Sequence, residues 1–159
     1  ELFERYAGRA EVVEPFSFDV HESPSDTRAF IRYCRKQWRQ PLGPFEWPIC
    51  YQREGPIGMI SLRPELEYSN LGFILGPEYW GRGIATEATR AVVDVAFRVA
   101  GMNQLRGFHF PGNPGSGRVF EKVGFECLGR HPAGEIDRTP PGAPENVVLY
   151  ELTRAAWYD

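Results

Sequence analysis

A glycine-rich turn in front of a helix is the feature of this sequence that most directly suggests chemistry. It spans Trp80 to Ala85, and apolar residues at helical spacing begin at Ile84. A helix N-terminus carries unpaired backbone N–H groups and the positive end of the helix dipole, so it attracts phosphate where the chain can approach closely. Gly81 and Gly83 allow that approach, and Arg82 adds a positive charge. The turn is a candidate phosphate site, although a glycine pair serves equally well to shape a tight turn.

The turn differs from two well-known nucleotide-binding motifs. A P-loop needs a lysine followed by serine or threonine, and the turn contains no lysine. A dinucleotide-binding turn needs a third glycine or small residue, and Thr86 stands in that place. A nucleotide-phosphate binder is therefore the weaker interpretation.

The cysteines and histidines predict no metal centre. The three cysteines lie far apart without a CxxC pair, which favours reduced thiols over a disulfide framework or a zinc site. The three histidines are not at ligand spacing either. These residues are Cys34, Cys50, Cys127, His21, His109 and His131.

The composition is that of one globular domain. The chain has 159 residues, of which 42% are hydrophobic, enough to bury a core. A net charge of −3 with dispersed basic residues argues against a nucleic-acid-binding protein. No apolar run reaches the length of a membrane span and no leader pattern opens the chain, so we expect a soluble cytoplasmic protein without a membrane partner.

The pattern of apolar residues and breakers predicts the elements that must position the turn. Ser23, followed by proline and an acidic residue, predicts the start of a helix that runs to about Gln40. The proline-rich segment from His131 to Glu145 predicts a loop. The other predicted elements are a helical start at Glu1 to Tyr6, strands at Phe45 to Gln52, Ile57 to Leu62 and Leu66 to Leu75, a helix from Ile84 to Gly101, a strand at Gln104 to Phe110, a helix at Gly115 to Val123, and strands at Phe125 to Arg130 and Asn146 to Leu152.

This order of elements predicts a mixed α/β fold. Three strands precede one long crossover helix, which indicates a sheet that is mostly antiparallel and locally parallel across that helix. Helices flank the sheet.

Three stretches of the chain strongly resemble the GNAT superfamily of N-acetyltransferases: Leu71 to Ala88, Asn113 to Ser116 and Glu121 to Phe125. The closest likeness is to the Rim-type branch, which includes the ribosomal-protein N-terminal acetyltransferases. The resemblance extends from about Ser23 to Leu152. It implies a GNAT-like fold with a splayed parallel strand pair, and a single acyl-CoA-dependent N-acetyltransferase domain over residues 1–159 that lacks the first strand of the family.

The resemblance also implies the cofactor, acetyl-CoA, and where it binds. The glycine-rich turn would hold the pyrophosphate, and the pantetheine arm would lie between two splayed strands. A backbone N–H near Phe73 to Leu75 would stabilise the oxyanion. Gly72 would let its strand bulge, unless it is a packing glycine. The implied cofactor-binding residues are Phe73, Ile74, Leu75, Trp80, Gly81, Arg82, Gly83, Ile84, Ala85, Thr86, Asn113 and Ser116.

The implied catalytic residues are Ser116 and Glu135. The common family pattern has an acid tyrosine where this chain has Phe120, so the resemblance assigns proton donation to Ser116, with helix capping as its alternative role. Glu135 is the candidate base by its offset from the Gly-Phe pair, and Glu87 is its rival, better explained by dipole compensation. For His109 a structural role is favoured over a cofactor contact.

The expected function is transfer of an acetyl group from acetyl-CoA to a primary amine by direct attack in a ternary complex. The implied partner is an amine acceptor, either a peptide N-terminus or a small molecule, and a homodimer is left open. The alternative is an acyl-CoA-binding module without turnover. Four aromatic residues could line an acceptor groove, although such spacing is more typical of a core. They are Phe30, Trp38, Phe45 and Trp47.

Overall fold

In the part of the chain that the structure describes, six strands form one sheet that carries helices on its surface. The computed structural model describes residues 1–13, 20–40, 42–65, 67–136 and 143–159. None of the helices in those ranges is both long and apolar enough to cross a membrane. The strands are β1 Phe45–Cys50, β2 Pro56–Pro64, β3 Ser69–Leu75, β4 Gln104–His109, β5 Glu126–Pro132 and β6 Asn146–Thr153. The helices are α1 Ala10–Val13, α2 Pro24–Gln37, α3 Ile84–Asp94, α4 Pro114–Val123 and α5 Arg154–Tyr158, with π-helical turns at Phe3–Ala7 and Val95–Val99.

The predicted mixed α/β fold is confirmed, with small differences at the element ends. The start of α2 at Ser23 is as predicted, and the Asp26 carboxylate accepts hydrogen bonds from the backbone N–H and the hydroxyl of Ser23. Strand β1 ends before Gln52, because Gln52 has a φ of 45°, in the left-handed region. The predicted third strand began at Leu66, which lies outside the described residues, and β3 begins at Ser69.

Helix α5 was not predicted. The Thr153 side chain caps it by accepting a hydrogen bond from the Ala156 backbone N–H at 3.3 Å. Five residues are too few to show a helical period in the sequence.

The sheet is antiparallel except between β3 and β4. Its strand order is β1-β2-β3-β4-β6-β5. The parallel pair holds only two residue pairs, Ser69 with Leu105 and Asn70 with Arg106. Beyond Asn70 the two strands are not paired to each other, so a gap opens in the middle of the sheet. The predicted locally parallel, splayed pair is therefore present.

Gly72 lies in β3 without a bulge. The pairing of β2 with β3 runs in continuous register from Gly58 opposite Leu75 to Pro64 opposite Ser69. The register shifts occur elsewhere, at Ile49/Cys50 and at Cys127/Gly129. Of the alternatives considered for Gly72, the bulge is not present in the β2–β3 pairing, which continues in register through that residue.

Helices α3 and α4 pack on the sheet through an aromatic core centred on Phe120. This side chain is 1% exposed and contacts the rings of Phe73, Phe125 and Tyr150 at centroid distances of 5.1 to 5.4 Å. Gly107 of β4 lies directly beneath it, since a Cβ at that position would stand 2.3 Å from the Phe120 ring. A glycine is therefore required for α4 to approach the sheet as closely as it does.

We expect Gly107→Ala to lower the free energy of unfolding by about 1–3 kcal/mol, because an added methyl group overpacks a filled core. Gly134→Ala is the matched control: no atom lies within 4 Å of its Cβ position, so its effect should stay within about 0.5 kcal/mol. Urea unfolding monitored by tryptophan fluorescence measures both. Equal midpoints for the two variants would contradict the close approach at Gly107.

Candidate active site

Two cavities adjoin β3 beyond Asn70, where its pairing with β4 has ended. The first, which we call the glycine-loop cavity, has a volume of about 440 Å³ and is lined by the glycine-rich turn and the start of α4. The second, the aromatic cavity, has a volume of about 330 Å³ and is lined by residues of the N-terminal segment, α2 and the sheet. Four residues line both cavities, which therefore meet at one place. These residues are Phe73, Ile74, Asn113 and Ser116.

The N-terminus of α3 faces the glycine-loop cavity. Gly83 is its N-cap residue with a φ of 79°, and no side chain caps the first turn. Gly81 has a φ of 71° as well, so both glycines adopt a conformation that other residues rarely tolerate. The turn thus brings uncapped backbone N–H groups and the positive helix end to the cavity. The predicted residues that line it here are Leu75, Trp80, Gly81, Gly83, Ile84, Ala85 and Thr86.

Trp80 fixes the turn to the end of β3. Its indole N–H donates a hydrogen bond to the Leu75 carbonyl at 2.7 Å. The Arg82 guanidinium instead lies over the Tyr51 ring at 4.7 Å and near the Tyr79 ring at 5.6 Å. Arg82 is not among the described residues that line the glycine-loop cavity. The side chain predicted to face a phosphate therefore packs against two aromatic rings.

Two cations that sequence reasoning missed line the glycine-loop cavity. Arg118 and Lys122 lie four residues apart on α4, so they occupy neighbouring turns of one helix face. Their spacing is visible in the sequence, but an i, i+4 basic pair is so common on helix surfaces that it did not indicate a site. Together with the α3 N-terminus they make this cavity suited to an anion.

Asn113 and Ser116 form the helix cap considered from sequence, and both residues also line the two cavities. The Asn113 side-chain oxygen caps α4 by accepting a hydrogen bond from the Ser116 backbone N–H at 3.4 Å. Ser116 is only 8% exposed, and the cap uses its backbone rather than its hydroxyl. Ser116 lines both cavities, and its hydroxyl is not used by this cap.

The aromatic cavity carries its charges at one end. Glu46 and Arg63 form an ion pair at 2.9 Å. Burial, together with the nearby Glu46 charge, raises the pKa of the Tyr6 phenol, so this cavity-lining hydroxyl stays protonated at neutral pH. Phe30, one of the aromatics considered for an acceptor groove, lines the cavity. The other three aromatics do not belong to the described lining of the aromatic cavity. Their rings contact one another in edge-to-face or tilted arrangements; these residues are Trp38, Phe45 and Trp47.

The predicted carboxylates lie apart from these cavities. Glu135 is exposed in a single 3-10 turn after β5, and Glu87 is exposed in the first turn of α3. Neither belongs to the described lining of the two cavities. The structure therefore does not bring Glu135 together with Ser116.

His109 is buried and also lines the aromatic cavity. One ring nitrogen, Nδ1, lies 2.8 Å from the Phe110 carbonyl oxygen, which makes Nδ1 the protonated nitrogen. The other, Nε2, lies 3.5 Å from the Tyr150 hydroxyl. Burial is the largest of the causes that raise the pKa of Tyr150 to about 12, so its hydroxyl remains a donor at neutral pH. The contacts of His109 agree with the structural role expected for it, and the residue also lies beside the aromatic cavity.

The chain belongs to the GNAT acetyltransferase family. The profile of the acetyltransferase (GNAT) domain matches residues 1–126, which include the glycine-rich turn, the splayed strands and the motif that begins α4. The predicted superfamily and enzyme class are therefore confirmed.

Relatives with similar sequences are also acetyltransferases by name. An uncharacterized N-acetyltransferase of Schizosaccharomyces pombe is 35% identical over 130 residues, which cover 77% of this chain and 66% of that protein. The FsC-acetyl coenzyme A-N(2)-transacetylase of Aspergillus fumigatus is 33% identical over 86 residues, which cover 54% of this chain and 36% of that protein. The chain thus spans less than two thirds of the length of these relatives.

Solved structures share the fold at low sequence identity. Spermidine N-acetyltransferase from Vibrio cholerae, solved with CoA and spermine, has a TM-score of 0.78 and 14% identity over 99% of this chain and 90% of that one. Ribosomal-protein-S5-alanine acetyltransferase from Vibrio fischeri has a TM-score of 0.76 and 18% identity over 98% and 90% of the two chains. At these sequence identities the similarity shows only that the fold is shared.

We expect Gly83→Val to weaken CoA binding at least about tenfold, because a branched side chain enters the space before the uncapped N–H groups of α3. Gly101→Val is the matched control, since Gly101 has a φ of 67° and an equally open Cβ position but lies outside the described cavity lining. Both variants should lose a similar free energy of unfolding, because valine is strained at the positive φ of each position. Calorimetric titration with CoA separates the two, and equal affinity losses would show that the turn does not hold the phosphates.

Proposed function

We propose that this chain transfers an acetyl group from acetyl-CoA to a primary amine within a ternary complex. The observation that carries this proposal is the meeting of two separate cavities at Phe73, Ile74, Asn113 and Ser116. One cavity is suited to a long anionic donor, and the other has room for an acceptor. Two substrates that enter from opposite sides would touch only where the cavities join, which is the arrangement that direct transfer needs.

The chemistry of the glycine-loop cavity fits coenzyme A. The uncapped start of α3 suits the pyrophosphate, and Arg118 and Lys122 add the positive charge that the remaining phosphate requires. The pantetheine arm carries amide groups that need partners on leaving water. Beyond Asn70, the side of β3 that faces β4 lacks a paired strand among the described residues, so its backbone groups can supply those partners.

In this proposal the amine nitrogen attacks the thioester carbonyl carbon, and the C–S bond then breaks. A backbone N–H near Ile74 stabilises the oxyanion that forms in between. The Ser116 hydroxyl donates its proton to the departing thiolate and is restored by the proton that the amine nitrogen releases. Atoms and charge balance with the acetylated amine and free CoA as products, and no covalent enzyme intermediate is needed.

The acceptor of this proposal is an amine that is partly neutral near pH 7. An N-terminal α-amine has a reference pKa of about 8, whereas that of a lysine is about 10.4. Glu135, the base implied by the resemblance, lies outside the described cavity lining. An amine that is already neutral can attack without a base, so it does not need Glu135 in direct contact. A Rim-type acetyltransferase acting on α-amines, the branch that the sequence resembles, agrees with this.

One observation favours a second candidate, an acyl-CoA-binding module without turnover. Phe120 stands where the common family pattern has an acid tyrosine, and it is buried in the aromatic core. A phenylalanine donates no proton, so a chain without the acid tyrosine could bind acyl-CoA without transferring the acyl group.

Release of free thiol from acetyl-CoA separates the two candidates. We expect release above the buffer rate when the protein is mixed with acetyl-CoA and amino-acid amides, which present an α-amine. The thiol is measured with a chromogenic disulfide reagent, and the product by mass spectrometry. Tight CoA binding without release for any amine would favour the binding module and contradict the enzyme.

We expect Ser116→Ala to lower kcat about 10² to 10⁴-fold, the range for loss of a proton-transfer group, with little change in the affinity for CoA. The substitution keeps the α4 cap, because Asn113 accepts from the Ser116 backbone. Ser61→Ala is the matched control: this hydroxyl also lines the aromatic cavity but donates to the Gly72 carbonyl. An unchanged kcat in Ser116→Ala would leave the hydroxyl without a role in proton transfer.

A further inference from the structure

The wall of the aromatic cavity is mainly apolar. It is formed by elements that are distant in sequence, from the N-terminal π-helical turn to α4. The apolar residues of this wall include Ala7, Phe30, Met59, Ile74, Phe108 and Phe110. An acceptor that enters this space removes apolar surface from water on both sides, which favours an apolar body.

Several polar side chains in the same wall are already hydrogen bonded within the protein, whereas the buried Nε of Arg63 has no partner among the described residues. Ser61 donates to the Gly72 carbonyl, and the Asn70 amide donates to the Glu65 carboxylate at 2.7 Å. His21 Nδ1 lies 2.8 Å from the Thr27 hydroxyl. A polar acceptor body would have to replace these internal bonds, and this costs free energy wherever a group is left without a partner.

The charges of the wall are paired as well. Glu46, the one carboxylate among the described lining residues, is ion-paired with Arg63, which also lines the cavity. The pair is locally neutral, so it offers little attraction to an acceptor that carries several positive charges. Burying a second ammonium group beside it would leave that ammonium without a counter-ion.

From the apolar wall, the internally bonded side chains of Ser61, Asn70 and His21, and the paired carboxylate, we propose that the acceptor is a primary amine on an apolar body, and that polycationic amines are poor acceptors. The α-amine of a nonpolar residue is the chemistry that fits. This inference rests on the proposed function, since it assigns the acceptor class of that same reaction. It separates this chain from the neighbour of similar fold whose structure contains spermine.

Amino-acid amides test the proposal directly, because they present α-amines that differ mainly in the attached side chain. The panel is phenylalaninamide, leucinamide, serinamide, aspartamide and lysinamide, with spermidine as the polycation. We expect kcat/KM for phenylalaninamide and leucinamide to exceed that for aspartamide, lysinamide and spermidine at least about tenfold, since an apolar pocket discriminates by the apolar contact it makes. A higher value for spermidine or lysinamide would overturn the proposal.

A charge placed in the wall should alter this preference. Phe30→Asp puts a carboxylate in the cavity, and the ratio of kcat/KM for lysinamide to that for phenylalaninamide should rise about tenfold. Ile31→Asp is the matched control: it is the next residue of α2, it is 37% exposed and it lies outside the described lining. An unchanged ratio in a folded Phe30→Asp variant, checked by circular dichroism, would count against recognition of the acceptor by this wall.

Failure of the proposed function gives a different result. If no amine causes release of free thiol in the assay, the result contradicts acetyl transfer itself. The acceptor preference is still measured in that case, by calorimetric titration of phenylalaninamide and lysinamide into the protein–CoA complex. Tighter binding of phenylalaninamide supports the apolar acceptor class, and tighter binding of lysinamide overturns it.

Discussion

The short pairing between β3 and β4 is the constraint on which the site depends. Two residue pairs join these parallel strands before they separate, whereas the neighbouring pairs of strands are bonded along most of their length. A strand edge without a partner carries backbone groups that need hydrogen bonds. A buried gap of this kind is stable only if something with amide character fills it or water enters it. In the proposed function the pantetheine arm of coenzyme A supplies those amide groups, so the gap in the sheet would serve as a binding surface.

The elements beside the gap hold the remaining parts of the site. The start of α3 is fixed by the Trp80 hydrogen bond to the end of β3, and the start of α4 is held by the Asn113 cap. Gly107 lets α4 lie against β4 through the Phe120 ring. Because both helix starts are tied to strand ends or to buried packing, the opening of the gap and the positions of the two helix N-termini are set together. In the proposed reaction, an amine and a thioester that meet at Ser116 would therefore need little further rearrangement.

The aromatic cavity differs in character from the glycine-loop cavity. The glycine-loop cavity has uncapped N–H groups and two cations, so it is suited to negative charge. The aromatic cavity has an apolar wall with several internally bonded polar groups, and its one described carboxylate is paired with Arg63. A chain that shares its fold with polyamine and ribosomal-protein acetyltransferases can differ from both in acceptor, because the acceptor touches side chains that the fold does not specify.

The sequence by itself determined the glycine-rich turn, the α4 cap and the order of the six described strands and of helices α2, α3 and α4. These depend on neighbouring residues: glycine tolerates positive φ, asparagine caps a helix, and alternating or helical apolar spacing selects the element. Only the tertiary structure decided that Arg82 lies over Tyr51 rather than in the cavity, and that Arg118 takes a place there. It also decided that Glu135 lies apart from both cavities and that Phe30 lines the aromatic cavity. The direction of a side chain depends on which distant residues pack against it, and no local pattern contains that information.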